Sequence, residues 1–444
     1  MSNITMIGTG YIGLVTGTLF ADKGNNVTCV DKNQEIVELL NSGKIHIFEP
    51  GLEELVKKNK KENRIKFTKK LDLSDSEFIF LGVNTPSNKE GSFNLEYLLS
   101  AARDIGRALR NVSGYKIIIC KSTVPQGTHK LIEEIITAEI QDNGKLKWDY
   151  VSNPETLAEG TAVRDFAKPD RIIIGTNSDK AFQKMKLLYH PFIKNDIIMR
   201  GTPSDAELAK LMSNTVLASR VATANEFARI ADITPGADAD IIRKMVCEDE
   251  RIGYNFMFPS PGYGGSCFPK DIQGLVNQSK IDGYNPLLLS QIHKSNEEHK
   301  KYTGERISTL LNEIKNPTIG IWGITFKPNT DDMRDAASIP IISGLINRGA
   351  NVIVYDPQDS KAKEIFGDKV TFVNSQYDAV KNADALILMT EWSCFDSIDY
   401  NRLKKNMKGN YLFDLRNRWN PKDANNAEFT YVGMGRYYPF FNKK

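Results

Sequence analysis

The stretch Gly262-Tyr263-Gly264-Gly265-Ser266-Cys267-Phe268-Pro269-Lys270-Asp271 sets a thiol between glycines and a Lys-Asp pair. Lys270 and a helix start after Pro269 would each lower the thiol pKa, and Asp271 would accept a proton or orient a water. Those residue types suit a covalent nucleophile. A free cysteine is usually a small buried hydrophobe, and that reading serves for Cys29, Cys120, Cys247 and Cys394. For Cys267 the glycines and prolines from Pro259 to Gly265 argue for a mobile loop, a poor place for packing alone. Far upstream, the apolar run Ile4 to Ile7 leads into Gly8, Gly10 and Gly13, the spacing of the dinucleotide-binding fingerprint. Gly8 permits the tight turn, Gly10 lets the backbone approach a pyrophosphate and Gly13 allows close helix–strand packing. The helix N-terminus at Tyr11 and Ile12 attracts the phosphates. Asp31 ends the next strand, where a carboxylate accepts from the adenosine ribose and repels the extra phosphate of NADP; neighbouring Lys32 opposes that repulsion. NAD beside a nucleophile implies oxidation through a covalent intermediate.

Three further clusters bear on the chemistry. Gly82-Val83-Asn84-Thr85-Pro86 and Ser122-Thr123-Val124-Pro125 each follow a strand, at the sheet edge where α/β folds bind ligands. Their hydroxyls would line the cofactor, although strand-end Thr-Pro pairs also serve as plain turns. In Asn153-Pro154-Glu155-Thr156-Leu157-Ala158-Glu159-Gly160 two carboxylates stand four apart, so a helical turn would put them on one face as paired acid–base groups. The alternative is an acid-decorated first helical turn. Lys210 and Asn214 share a stripe that continues through the apolar Leu217 and Val221. They would supply a cation and an amide donor to a developing oxyanion, or Lys210 would simply snorkel from the helix edge.

These groups need rigid elements beneath them. Buried-strand runs at Ile4 to Ile7, Val27 to Asp31, Phe78 to Val83, Lys116 to Cys120 and Arg171 to Gly175 alternate with amphipathic stretches. That pattern predicts an α/β fold with a parallel sheet covered on both faces. From Ser204 a long helix is expected, with Ser204 and Glu207 as its capping box. A strand entering glycine at Thr318 to Gly323, a helix over Ile339 to Ile346 and a strand from Val352 to Asp356 repeat the opening unit without its full glycine fingerprint. The expected layout is a Rossmann-like domain over 1–200, a helical domain over 201–300 and a second Rossmann-like domain over 301–444, suited to a ligand other than NAD. The balance of 58 basic against 55 acidic residues leaves a net charge of +3, with no global field for nucleic acid or an anionic membrane. Five cysteines without a C-x-x-C pair argue for reduced thiols in the cytoplasm and against a metal or disulfide framework. Met1 runs almost directly into the first strand, and no apolar run reaches spanning length, so neither a signal peptide nor a membrane anchor is expected.

Spread over almost the whole chain, these residues resemble the UDP-glucose/GDP-mannose dehydrogenase family, and within it the branch acting on UDP-glucose. The segment Gly262 to Asp271 is specific to that family; the opening glycines are not. The resemblance implies two Rossmann-like domains joined by a helical domain that also makes a homodimer. It further implies oxidation of a primary alcohol to a carboxylate with two NAD and no release of the aldehyde. On that resemblance Cys267 attacks the aldehyde to give a thiohemiacetal and then a thioester, and Lys210 and Asn214 stabilise the oxyanions. Asp271, with Thr123 and an ordered water, handles protons, and Glu155 is the base for thioester hydrolysis. Glu159 lies between sugar and cofactor, Tyr263, Gly264 and Gly265 run along the sugar, and Lys327 and Arg416 sit near the substrate. Leu157, Tyr254, Asn255 and Phe326 complete the expected substrate contacts, while Arg334 and Lys270 belong to the cofactor side. Arg251 matches an arginine that reaches the neighbouring subunit's site. Two departures stand out: Ile36 replaces a common Arg or Lys after the ribose-binding Asp, and Thr156 replaces a usual Phe. UDP-glucose is the expected substrate, with GDP-mannose or another nucleotide sugar as the alternative. A two-electron hydroxyacid dehydrogenase, with no need of Cys267, and a nucleotide-sugar binder without turnover are the rivals.

Overall fold

The computed structural model describes residues 1–141, 144–193 and 197–437. The chain divides into two compact units, Met1–Ser213 with Gly274–Tyr284 and Asn214–Gln273 with Asn285–Lys444.

The first unit is built on a sheet of β1 (Asn3–Ile7), β2 (Asn26–Val30), β3 (Ile65–Thr68), β4 (Phe78–Leu81), β5 (Gly114–Cys120), β6 (Leu146–Ser152), β7 (Ile172–Gly175) and β8 (Ile198–Gly201). Their order is β3-β2-β1-β4-β5-β6-β7-β8. All neighbours run parallel except β6 and β7. Strand β5 shows why the sequence demands two covered faces: Ile117 and Ile119 enter one apolar layer, Ile118 and Cys120 the other. On the first face Phe20 packs against Phe80, Phe166, Tyr189 and Phe192 with ring centroids 5.3–5.8 Å apart.

The second unit carries β9 (Thr318–Trp322), β10 (Asn351–Tyr355), β11 (Thr371–Phe372), β12 (Ala385–Leu388), β13 (Tyr411–Asp414) and β14 (Thr430–Gly433). Its order, β11-β10-β9-β12-β13-β14, repeats that of the first six strands of the other sheet. Helix Ser338–Asn347 covers it through Ile341, Ile342 and Leu345, and helix Leu287–Leu310 through Ile307 and Leu310. The α/β class and the repeated Rossmann-like plan therefore stand as expected.

Three local expectations do not. The long helix is Pro203–Ile233, and its capping box lies two residues earlier than the Ser204 and Glu207 pair. Thr202 Oγ1 accepts from the Asp205 amide at 3.2 Å, while the Thr202 amide donates to Asp205 Oδ2 at 2.8 Å. Glu207 instead caps a different helix, accepting from the amides of Gly127 and His129 at 2.8 Å each, where helix Thr128–Ile140 begins. The Asn153 to Gly160 stretch is not helical; a helix starts only at Ala162, so Glu155 and Glu159 do not share a helical face. The glycine loop before Cys267 is packed rather than mobile. A Cβ on Gly264 would lie 2.3 Å from the Asp335 carbonyl oxygen, and Ser260 to Gly265 are buried. Glycine is required there for close approach.

Candidate active site

The fingerprint turn has the shape of an anion cradle. Helix Tyr11–Asp22 begins directly after Gly10, and no side chain caps its first amides. Gly8 has φ +91°, and a Cβ on Gly13 would sit 2.0 Å from the Gly8 carbonyl oxygen, so helix and turn lie closer than any side chain permits. Asp31, at the end of β2, accepts from the Thr9 amide at 2.8 Å and the Thr9 hydroxyl at 2.6 Å. Those bonds fix one carboxylate oxygen; the side chain stays part-exposed at the sheet edge. Lys32 points elsewhere, to Ser100 at 3.1 Å and Asp104 at 3.2 Å. Ser122 and Thr85 use their hydroxyls to tie the two strand-end turns together, donating to the carbonyls of Val83 at 2.6 Å and Thr123 at 2.7 Å.

The same unit holds a buried ion pair. Glu155 and Lys210 are 2% and 7% exposed, with Nζ and Oε1 2.7 Å apart. Burial excludes the snorkelling reading of Lys210. Burial alone would push the Glu155 carboxyl up; the Lys210 ammonium, the Leu157 amide and the nearby Lys121 ammonium outweigh it and hold the group below the usual carboxylate range. The Leu157 amide donates to Glu155 at 2.6 Å, which shapes the loop around the carboxylate. Glu159, further along that loop, is part-exposed.

In the second unit Cys267 occupies the N-cap of helix Phe268–Ile281, its carbonyl accepting from the Asp271 amide at 2.8 Å. The helix thus starts one residue before Pro269. The thiol is part-exposed at the N-terminal end of that helix. Asp271, 1% exposed, accepts from Asn214 Nδ2 at 2.6 Å and Lys270 Nζ at 2.7 Å. The Tyr263 ring packs among Ala218, Val221 and Ile292, and its backbone is clamped by Asn296 through bonds of 2.9 and 3.0 Å. Phe326 closes against Gly265. Arg416 bonds the Met389 carbonyl at 2.8 Å and Glu391 at 2.9 Å, and Lys327 lies 5.4 Å over the Phe326 ring. Arg334 pairs with Asp332 at 2.7 Å, and Arg251, an exposed side chain, pairs with Asp249 at 2.6 Å. Tyr254 bonds Glu248 at 2.7 Å, and the Asn255 carbonyl accepts from Arg220 at 2.6 Å.

The C-terminal sheet repeats the Asp31 position in Asp356, at the end of β10, but closes it. Asp356 is 4% exposed and accepts from the Ile324 amide at 2.6 Å, the Thr325 amide at 3.2 Å and the Trp392 indole at 3.1 Å. Burial pushes its carboxyl up against those bonds.

Residues 2–193 match the NAD binding domain of the UDP-glucose/GDP-mannose dehydrogenase family, 204–298 its central domain and 320–421 its UDP binding domain. A UDP-glucose 6-dehydrogenase of Rhizobium meliloti is 38% identical over 98% of this chain and 99% of that protein. One from Pseudomonas aeruginosa is 36% identical over 98% and 97%. The chain belongs to the UDP-glucose/GDP-mannose dehydrogenase family. A UDP-glucose dehydrogenase structure from the hyperthermophilic archaeon Pyrobaculum islandicum superposes with a TM-score of 0.89 at 32% identity, covering 98% of both chains. As in other members of this dehydrogenase family, NAD is the cofactor, and the uncapped first turn of helix Tyr11–Asp22 with the glycine contacts before it fits its pyrophosphate. No helix among the described residues is long and apolar enough to cross a membrane.

Motif reading missed two members of the site's surroundings. Glu49, 4% exposed, accepts from the Tyr11 hydroxyl, the Gly160 amide at 2.7 Å and the Val163 amide at 3.3 Å, joining the fingerprint helix to the end of the Glu155 loop. Lys121, at the end of β5, is 4% exposed beside the Glu155–Lys210 pair. Neither residue has a sequence signal, because only the fold brings Glu49 to Tyr11 or buries Lys121.

Proposed function

We propose that the chain is an NAD-dependent UDP-glucose 6-dehydrogenase that carries its substrate to UDP-glucuronate on Cys267. The observation that carries this reading is a thiol on a helix N-cap with the buried Asn214–Asp271 pair a turn away. When bound, NAD is the hydride acceptor for each of two oxidations. In the first, Asp271, with Thr123 and a water, takes up the proton leaving the sugar C6 hydroxyl, and the aldehyde forms. Cys267 then adds as thiolate: a C–S bond forms, and the carbonyl π electrons move to oxygen, where Lys210 and Asn214 stabilise the charge. The second oxidation removes the remaining C6 hydrogen and gives a thioester. Glu155 takes a proton from water as the water oxygen joins the carbonyl carbon, the C–S bond breaks and Cys267 leaves as thiolate. One alcohol, one water and two NAD thus yield one carboxylate and two NADH.

UDP-glucose is favoured over GDP-mannose by the Arg251-Ile252-Gly253 and Pro261 to Gly264 segments and by the names of the most similar relatives. A His before the nucleophile, usual for enzymes acting on UDP-N-acetylmannosamine, is replaced by Ser266. A wrong epimer would leave a buried polar group unpaired, at about 1–3 kcal/mol per group. The test counts NADH per sugar and compares catalytic efficiencies for the three nucleotide sugars at saturating NAD. Two NADH per UDP-glucose and a clear preference for it are expected. One NADH per sugar would favour the two-electron rival, no turnover a binding protein, and GDP-mannose matching UDP-glucose would overturn the substrate.

The working unit in this reading is a cytoplasmic homodimer in which Arg251 serves the neighbouring site. Its support is an exposed apolar set on the Pro203–Ile233 and Ala239–Cys247 helices: Phe227, Ile230, Ile233, Ile241 and Met245 are 44–74% exposed.

A further inference from the structure

We propose that Lys121 is a positioning residue of this reaction: the second of two buried cations, it keeps Glu155 ionised while Lys210 serves the oxyanion. The inference rests on the reading of Glu155 as the base of thioester hydrolysis.

Two lysines surround one carboxylate. Lys210 forms the 2.7 Å pair with Glu155. Lys121 Nζ lies 3.3 Å from both the carbonyl and the side-chain oxygen of Asn153, which are neutral acceptors. Asn153 is fixed in turn by the Tyr189 hydroxyl at 2.5 Å and by its own bond to the Ile173 carbonyl at 2.8 Å. The other charged groups lining the small cavity beside Lys121 are engaged elsewhere: Asp165 with Thr161 at 2.7 Å, and Arg171 with Ser213 at 3.3 Å. Among the described residues, two buried ammonium groups thus face the one Glu155 carboxylate. Burial pulls the Lys121 ammonium down to about 8, with Glu155 resisting and Lys210 adding to the fall. Such an excess of buried positive charge is unfavourable in the resting protein and becomes balanced when an oxyanion forms at Lys210. Without Lys121, an oxyanion would draw on the only cation holding Glu155 charged. The buried carboxylate would then take a proton and could not accept one from water.

The plain alternative is a strut: Lys121 merely ties the end of β5 to Asn153. Four variants separate the two. Lys121→Met removes the charge, and Lys121→Gln removes it while keeping a donor for Asn153, so a fold lost in the first is kept in the second. Lys121→Arg keeps the charge, and Tyr189→Phe loosens Asn153 without touching it. Single turnovers with UDP-glucose and NAD are followed by NADH absorbance and by intact mass of the Cys267 adduct. Expected for the neutral variants are two NADH formed per site, a persisting adduct, and hydrolysis slowed about 10-fold on the acidic side of its pH profile, where Glu155 takes up its proton. The acidic limb of hydrolysis should move up by about one pH unit, because the carboxylate has lost a nearby cation. Lys121→Arg should restore the rate, and Tyr189→Phe should resemble the parent. Neutral variants with no adduct and an unmoved limb, measured beside a Glu155→Gln protein that does trap adduct, would overturn the role of Lys121. A Glu155→Gln protein that hydrolyses normally would instead remove the base assignment, and the inference with it.

Discussion

At the scale of single residues, the proposed chemistry turns on the Cys267 thiol at a helix N-cap, one turn from the Asn214–Asp271 bond. Cys267, Asp271, Asn214 and Lys210 could be named from the chain because glycine-framed thiols and one-turn spacings are local signals. The sharpest expected outcome concerns the thiol. Cys267→Ala should still bind NAD, since the fingerprint turn lies in the other unit, yet form no acid. Titration calorimetry with NAD and chromatography of products check this, and normal acid production would end the covalent mechanism. Lys121 escaped notice because a lysine after Cys120 reads as a strand end facing water. Its burial beneath Tyr189 and beside Asn153 is decided by residues 30 or more positions away. The pairing of Glu155 with Lys210 was hidden for the same reason: the partner of Glu155 was sought in Glu159, within one helical turn, and its ion pair spans 55 positions of chain.

At the scale of elements, the named strands and the starts of helices Tyr11–Asp22 and Ser338–Asn347 were legible to within two residues, while the cap of the long helix was not. A run such as Lys116 to Cys120, apolar from Ile117 onward, has few alternatives to a doubly covered strand, and β5 extends it by two residues. A helix start depends on which of several polar side chains turns back on the backbone. Thr202 and Asp205 satisfy the same spacing rule as Ser204 and Glu207, and Pro203 settles the choice because proline is well suited to the first helical position. Thr202→Ala should therefore cost about 1 kcal/mol, measured by denaturant midpoint, and Ser204→Ala close to nothing. Equal losses would return the cap to Ser204. The loop before Cys267 was misread for a related reason: glycine marks both freedom and crowding, and only the Asp335 carbonyl against Gly264 reveals crowding.

At the scale of the whole molecule, the repeated strand order was visible as an echo of the opening unit, while assembly leaves only a faint imprint on one chain. Arg251 pairs with Asp249 in a single copy and is exposed, which suits a side chain destined for a neighbour. Mixing Arg251→Ala with Cys267→Ala protein, each inactive alone, should restore activity through hybrid dimers as subunits exchange. A dead mixture with exchange confirmed by mass spectrometry would confine Arg251 to its own subunit. The repeated plan has one more implication. Asp31 and Asp356 close the second strand of their sheets with the same carboxylate, one open to the rim and one roofed by the Trp392 indole. A carboxylate left part-exposed at the rim of one sheet is a buried keystone in the other, with the strand order untouched. Re-engineering the nucleotide preference of the C-terminal half would accordingly begin with the roof at Trp392, and leave the acid where it stands.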